Sequence, residues 1–125
     1  MKIEITDHRK IYTIQKEFSA MFPFLKIEFF AKPSTADGVS PDKLIHKPSK
    51  TLGTCRTIHR KGFITVTPNM SVRDLRETFD DVYGLRVRIS RISGDHWMDA
   101  SASDGWSLEK QNKEGMQSSI VQQTV

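Results

Sequence analysis

Two stretches of the chain repeat the same order of apolar and polar positions. Residues 5–24 and 66–85 match at a constant offset of 61 residues. The matched apolar pairs are Ile5/Val66, Ile11/Val72, Ile14/Leu75, Phe18/Phe79, Met21/Val82, Phe22/Tyr83 and Phe24/Leu85. Apolar residues alternate along a half-buried strand and recur every three or four positions along a helix. Each stretch therefore predicts a strand, a helix and a second strand.

Local signals mark the ends of both predicted helices. In the first unit, Pro23 ends the helix because it has no N–H group and its ring clashes with the preceding turn. In the second unit, the Ser71 hydroxyl can accept from free amides at the helix start, with Asp74 as an acidic partner. Gly84 suits the left-handed position just after a helix. Alternating apolar positions resume at Leu25 and at Leu85, which predicts the two following strands.

A strand-helix-strand unit that occurs twice predicts a two-layer α+β fold. The favoured arrangement is ferredoxin-like, in which two βαβ units share one sheet, and the alternative is β-grasp-like. We expect one domain over residues 1–115 and a flexible C-terminal tail over residues 116–125. About 30 residues connect the two units, which is longer than a ferredoxin-like fold needs. Leu52 and Cys55, preceded by Thr51, could form a short helical turn within that connection.

Further elements are predicted after the second unit. Ser93-Gly94-Asp95 is a turn signal, so residues 96–100 are expected to pair back as a fifth strand. Ser107 can cap a short helix that ends near residue 113, with Gly115 just beyond its end. Trp97 and Trp106 are large enough to close one side of a small core.

The second half also carries a recognisable pattern. It consists of Ser71-Val72-Arg73-Asp74-Leu75, Tyr83-Gly84-Leu85, Arg91-Ile92-Ser93-Gly94, Trp97, Asp104-Gly105-Trp106-Ser107-Leu108, Gln111-Asn112 and Gly115. The pattern resembles a group of small uncharacterised bacterial proteins and covers roughly the C-terminal half of the chain. The resemblance implies a bacterial, compact α+β module. It implies no activity, because its residues are a cap, turns, glycines and tryptophans.

Positive charge is concentrated in the connection between the two units. Residues 32–62 contain seven Lys or Arg residues and two Asp residues, whereas the rest of the chain contains twelve basic and thirteen acidic residues. The whole formal net charge of +4 therefore arises in this connection. The candidate binding residues are its cations between positions 43 and 61: Lys43, Lys47, Lys50, Arg56, Arg60 and Lys61. Such a segment attracts anionic partners, with an affinity that falls as salt rises.

These observations favour an interaction module that is not an enzyme. The basic connection is expected to contact a protein or another anionic surface, and the alternative is sequence-nonspecific nucleic-acid binding through residues 43–61. The predicted open sheet face displays mainly charged residues, with Phe30 as its only aromatic, so it is a poor platform for base stacking.

The sequence predicts no cofactor, no metal and no catalytic residue. Residues 47–51 lack the glycines of a phosphate loop. Cys55 and His59 have the spacing of half a zinc site without a second pair, so Cys55 is expected to be a buried apolar residue. No apolar stretch suits a signal peptide or a membrane span, and a single cysteine favours a reducing compartment, so we expect a cytoplasmic protein.

Overall fold

The computed structural model describes residues 1–32 and 43–123. The elements in chain order are β1 (Lys2–Ile5), α1 (Ile11–Met21), β2 (Leu25–Phe29), β3 (Gly62–Thr65), α2 (Val72–Tyr83), β4 (Val87–Ser93), β5 (His96–Asp99) and α3 (Leu108–Gln123). Two short 3-10 helices, Leu52–Cys55 and Ala100–Ser103, precede β3 and α3. The α+β class, both strand-helix-strand units and the fifth strand are confirmed.

The predicted signals form the ends of α2. The backbone N–H of Asp74 donates to the Ser71 hydroxyl oxygen at 3.0 Å, which satisfies one amide at the helix start. Gly84 has φ 64°, a conformation that a residue with a Cβ rarely adopts, and its N–H donates to the Asp80 carbonyl oxygen. The helix boundaries of the second unit were therefore predictable.

The apolar pattern of the repeat matches the core. Ile5 and Val66 are both fully buried, and so are Ile14 and Leu75. Phe18 and Phe79 are also fully buried, and all six side chains belong to one hydrophobic cluster. At about 1.5–3 kcal/mol for each fully buried large apolar side chain, burial of both helix stripes in a shared core is the main stabilising term.

The strands form two antiparallel sheets in which equivalent strands pair with each other. β1 pairs with β3, with Ile3 opposite Ile64, and β2 pairs with β4, with Ile27 opposite Ile89. β5 extends the second sheet on the far side of β4. The ferredoxin-like arrangement is not confirmed, since the described strands form sheets of two and three strands rather than one shared sheet. The two units are instead joined edge to edge, by antiparallel pairing of their equivalent strands within each sheet.

The repeat is longer than the sequence pattern indicated. In the first unit, the Ile11 N–H donates to the Lys50 carbonyl oxygen at 2.9 Å. In the second unit, the equivalent Val72 N–H donates to the Trp106 carbonyl oxygen at 3.1 Å. Three more hydrogen bonds of the first unit have equivalents in the second. The bond from Leu52 N to Arg9 O matches the bond from Leu108 N to Met70 O, and the bond from Gly53 N to Asp7 O matches the bond from Glu109 N to Pro68 O. Within the turns, the bond from Lys50 N to Lys47 O matches the bond from Trp106 N to Ser103 O.

Each unit therefore ends in a turn that folds back onto the start of its own helix. We call residues 2–56 repeat 1 and residues 62–112 repeat 2. The turns, residues 47–51 and 103–107, match at an offset of 56. The apolar residue after each turn, Leu52 in repeat 1 and Leu108 in repeat 2, is fully buried.

The C-terminal helix differs from its prediction. α3 continues to Gln123 and so runs through residues that we expected to form a tail, while residues 124 and 125 lie outside the described part. Gly115, which suggested the end of a short helix, is buried where α3 crosses the second sheet. A Cβ at Gly115 would lie 2.9 Å from Phe24 Cβ, so the glycine permits a close approach of helix and sheet instead of ending the helix.

Candidate interaction surface

Residues 43–61, which we call the basic belt, run across one end of the molecule. The belt first lies beside the end of β2, where the Ile45 N–H donates to the Phe29 carbonyl oxygen at 2.8 Å. It then passes the start of α1 through the Lys50 and Leu52 hydrogen bonds, and Ile58 packs against Gly84 beyond α2. Leu52 and Cys55 are buried in a 3-10 helix, as the predicted turn required, whereas Ile58 is half exposed.

Five of the six predicted binding residues lie at the surface of the belt. They are Lys43, Lys47, Lys50, Arg60 and Lys61. None of the five has an ion pair among the residues that the structure describes. Because the belt backbone is hydrogen-bonded to the body at several points, these cations are displayed on a fixed path. Their role as binding residues stays a prediction.

Arg56 differs from the other five cations because it is buried. Only 1% of the residue is exposed, and its Nε and Nη2 atoms donate to Asp7 Oδ1 at 3.0 and 2.8 Å. Its Nη1 atom donates to the Tyr83 carbonyl oxygen at 3.1 Å. The guanidinium thus ties repeat 1 to the end of α2 in repeat 2. Arg56 is a structural residue that holds the belt in place, and it cannot contact a partner directly.

The electrostatics of this junction favour an ionised Asp7. Burial acts to raise the pKa of Asp7, but hydrogen bonds from Arg56 and His59 outweigh it and hold the pKa below its usual value. His59 Nδ1 lies 2.7 Å from Asp7 Oδ2, so the carboxylate holds two residues of the belt. The neighbouring Cys55 is buried, and burial raises its thiol pKa to about 11. Cys55 is therefore an unreactive filler, as the sequence indicated.

The face of the second sheet carries charge pairs, as expected. Arg88 Nη2 lies 2.8 Å from Glu28 Oε1, directly across the strand pair. Trp97 lies on β5, whose residues are all exposed, and is itself 42% exposed, with Lys26 Nζ 4.9 Å from its ring centre. The prediction that both tryptophans close the core is wrong. Trp106 is only partly buried, with Lys110 Nζ 4.2 Å from its ring centre.

Within residues 1–32 and 43–123, no group of three or more His, Cys, Asp or Glu side chains could hold a metal ion. None of the described helices is long and apolar enough to cross a membrane.

Comparison with known proteins gives no relative, since no family model, no curated protein and no solved structure matches this chain. The function must therefore be argued from the surface itself. Sequence reasoning found the exposed cations but missed that Arg56 is internal, because a count of charges does not show which cation has a buried partner. The nearest available signal was the apolar pair Leu52 and Cys55 beside it, which indicated that this part of the connection enters the core.

Proposed function

We propose that this protein is a binding module, rather than an enzyme, whose basic belt docks against an acidic surface of a partner protein. The observation that carries the proposal is the set of five exposed belt cations that have no ion pair with any described residue and are held on a backbone fixed to the body. A fixed cationic surface loses less conformational entropy on binding than a flexible one. We place the module in the bacterial cytoplasm as part of the same proposal, on the single cysteine and on the resemblance described above.

Complementary charge should act mainly on the rate of association and on the choice of partner. Exposed cations steer an acidic partner towards the surface and reject basic ones, whereas each rim ion pair contributes little to affinity. The ion pair between the buried Arg56 and the partly exposed Asp7 contributes indirectly, since it anchors the belt between Lys50 and Arg60.

The proposal is tested with charge reversals in the full chain. A labelled oligoglutamate peptide is titrated against the protein at low and moderate salt, and binding is followed by fluorescence anisotropy. Lys47→Glu with Lys50→Glu should reduce the affinity at least about tenfold, because both charges lie on the belt. Lys2→Glu with Lys113→Glu is the matched control, since both lysines are exposed outside the belt and the net charge changes equally. Equal losses in the two double variants would contradict a role for the belt.

Sequence-nonspecific nucleic-acid binding is the second candidate, and one observation favours it. Phe63 is 59% exposed and lies two residues after Lys61, so an exposed aromatic ring is close in sequence to the belt cations Arg60 and Lys61. Aromatic rings and cations together bind single strands by stacking and by phosphate contacts. A labelled single-stranded oligonucleotide that binds more tightly than oligoglutamate, with a steep salt dependence and a clear loss on Phe63→Ala, would replace the first proposal by this one.

A further inference from the structure

A charged groove lies beside Phe30, between α2 and the start of β4. Three adjoining cavities of about 220, 90 and 60 Å³ all have Phe30 in their walls. The largest is lined by charged side chains of both signs: Arg76, Glu77, Asp80 and Arg86. The 90 Å³ cavity adds apolar walls, among them Val72 and Ile89. Most walls of the two larger cavities belong to repeat 2, whereas Phe30 belongs to repeat 1 and the smallest cavity also touches the belt at Cys55, Arg56 and Thr57. None of the five exposed belt cations lines any of the three cavities.

Repeat 1 shows how the equivalent position is filled. The Phe30 N–H donates to the Arg86 carbonyl oxygen and the Ile92 N–H to the Phe24 carbonyl oxygen, so even-numbered residues of β2 and β4 bond to each other. The odd-numbered residues direct their main-chain groups away from the partner strand. In repeat 1, the Gln15 amide donates to the Ile27 carbonyl oxygen at 2.9 Å, and the Ser19 hydroxyl donates to the Leu25 carbonyl oxygen at 3.3 Å.

Repeat 2 replaces both of these donors. Arg76 and Asp80 occupy the positions on α2 that Gln15 and Ser19 occupy on α1, and Val87 and Ile89 match Leu25 and Ile27. Arg76 Nη2 donates to Asp104 Oδ2 at 2.8 Å instead of to the strand. The Asp80 carboxylate cannot donate at all. Among the described residues, the side chains that close the edge of β2 therefore have no counterpart at β4, and the groove lies where they would be.

The lining of the groove offers both kinds of charged hydrogen-bonding group. The carboxylates of Glu77 and Asp80 have no ion pair among the described residues, and with the Val87 carbonyl oxygen they suit an ammonium group. Asp80 also lies near the C-terminus of α2, where the helix dipole disfavours an anion, so a bound cation would relieve that repulsion. The guanidinium of Arg76 lines the same cavity and suits a carboxylate.

We propose that the groove binds a free α-amino acid with an aliphatic side chain. An α-amino acid carries an ammonium and a carboxylate on one carbon atom, so it offers one group to the carboxylates and one to the guanidinium of the same cavity. A space of 220 Å³ corresponds to about seven water molecules at ~30 Å³ each, which matches a small amino acid. The aliphatic side chain packs on Phe30 and on the apolar wall of the neighbouring cavity.

The probes are L-leucine, L-leucinamide and N-acetyl-L-leucine, of which only L-leucine carries both charges. Each is titrated into the isotopically labelled full chain, and backbone amide signals are followed by NMR. L-leucine should give saturable shifts at Phe30, Arg76 and Val87 with a millimolar Kd, and each analogue should bind at least about tenfold more weakly. No saturable shift with L-leucine, or equal binding of all three probes, would overturn the proposal.

Variants of the groove use repeat 1 as their template. Arg76→Gln with Asp80→Ser gives α2 the two side chains that close the edge in repeat 1, and L-leucine binding should fall at least about tenfold. Asp80→Asn alone, at an exposed position, tests the ammonium contact if the double variant does not fold. Asp81→Asn is the matched control, because it removes the same charge from the neighbouring exposed position of α2, which lines none of the three cavities, and it should retain binding. Unchanged L-leucine binding in the folded groove variants would contradict the assignment.

Discussion

The two repeats share a backbone but use their folded-back turns differently. In repeat 2, Asp104 lies in the turn and accepts from both Arg73 and Arg76, so these two arginines are held within the unit. In repeat 1, Pro48 takes the place of Asp104, and the neighbouring Lys47 and Lys50 face outwards without ion pairs among the described residues. The same hydrogen-bonded turn thus stabilises repeat 2 internally and displays cations in repeat 1. Backbone duplication has left the side chains free to diverge.

The opposite divergence is found along the strand edges. Gln15 and Ser19 close the edge of β2 in repeat 1, while Arg76 and Asp80 leave a groove at β4 in repeat 2. The repeat with the exposed cationic turn therefore has the closed edge, and the repeat with the internally paired turn has the open one. The exposed belt cations line none of the three cavities, so charge variants of the belt should leave the groove intact.

The largest expected effect tests whether the two turns are structurally equivalent. Leu52 and Leu108 follow the turns and are both fully buried, so Leu52→Ala and Leu108→Ala should each lower the free energy of unfolding by about 3 kcal/mol or more. The measurement is urea denaturation of each variant at neutral pH. A large loss for Leu108→Ala with almost none for Leu52→Ala would show that the belt contributes little to the core, and the equivalence would fail.

A smaller loss of stability is expected from the side chains that link each repeat to the other. Each repeat has one side chain that bonds to the main chain at the end of the other repeat's helix. Arg56 donates to the Tyr83 carbonyl oxygen, and the equivalent Asn112 accepts from the Phe24 N–H at 2.8 Å. Asp7→Asn leaves the buried Arg56 without its carboxylate, and because Asp7 is 35% exposed we expect a loss of about 2–3 kcal/mol, below that of a fully buried pair. Asn112→Ala removes one neutral hydrogen bond and should cost about 1 kcal/mol.

The order of these two losses is the decisive result. Urea denaturation of Asp7→Asn, Asn112→Ala and the unchanged protein under one set of conditions gives it directly. If Asn112→Ala proves the more destabilising variant, the charged junction of repeat 1 is not the stronger of the two links, and the account of the belt as a segment fixed by Arg56 must be abandoned.

The residues that sequence reasoning placed correctly are those whose role is local or periodic. Ser71 and Gly84 mark helix ends through their own chemistry, and pairs such as Ile14 and Leu75 reveal burial through spacing. The pairing of β1 with β3 in a separate sheet was not predictable in this way. One shared ferredoxin-like sheet and the two observed sheets would bury the same alternating residues. The folded-back turns depend on main-chain hydrogen bonds that leave little trace in side chains. Their one sequence signal is a hydroxyl residue before a leucine, Thr51-Leu52 and Ser107-Leu108.

The candidate surfaces show the same limit. Exposed belt cations could be proposed from charge density, but the internal position of Arg56 depends on Asp7, which is distant along the chain. The groove is recognised by comparison with repeat 1, where Gln15 and Ser19 donate to carbonyl oxygens of β2. These two hydrogen bonds cannot be read from the sequence. Charge density therefore indicated which segment attracts anions, and the fold shows which of its charges are exposed.

The smallest expected effect concerns acid sensitivity, which should differ between repeats because their carboxylates lie at different positions. The pKa of Asp7 is held below its usual value, so its share of stability is present above the pH at which an unfolded aspartate ionises and is lost as pH falls through the lowered pKa. Hydrogen bonding to Arg73, against an opposing effect of burial, likewise lowers the pKa of Asp104 with help from Arg76. The position equivalent to Asp7 is Pro68 in repeat 2, and the position equivalent to Asp104 is Pro48 in repeat 1, so neither carboxylate has a titrating counterpart.

Urea denaturation at about pH 7 and about pH 3 should show a smaller loss of unfolding free energy on acidification for Asp7→Asn than for the unchanged protein. Asp104→Asn should alter that loss by less, because the partners of the Asp104 carboxylate are arginines at the surface. An acid-induced loss of stability that is the same in all three proteins would show that neither carboxylate is linked to folding. The difference between Asp7 in repeat 1 and Asp104 in repeat 2 would then lie in packing alone.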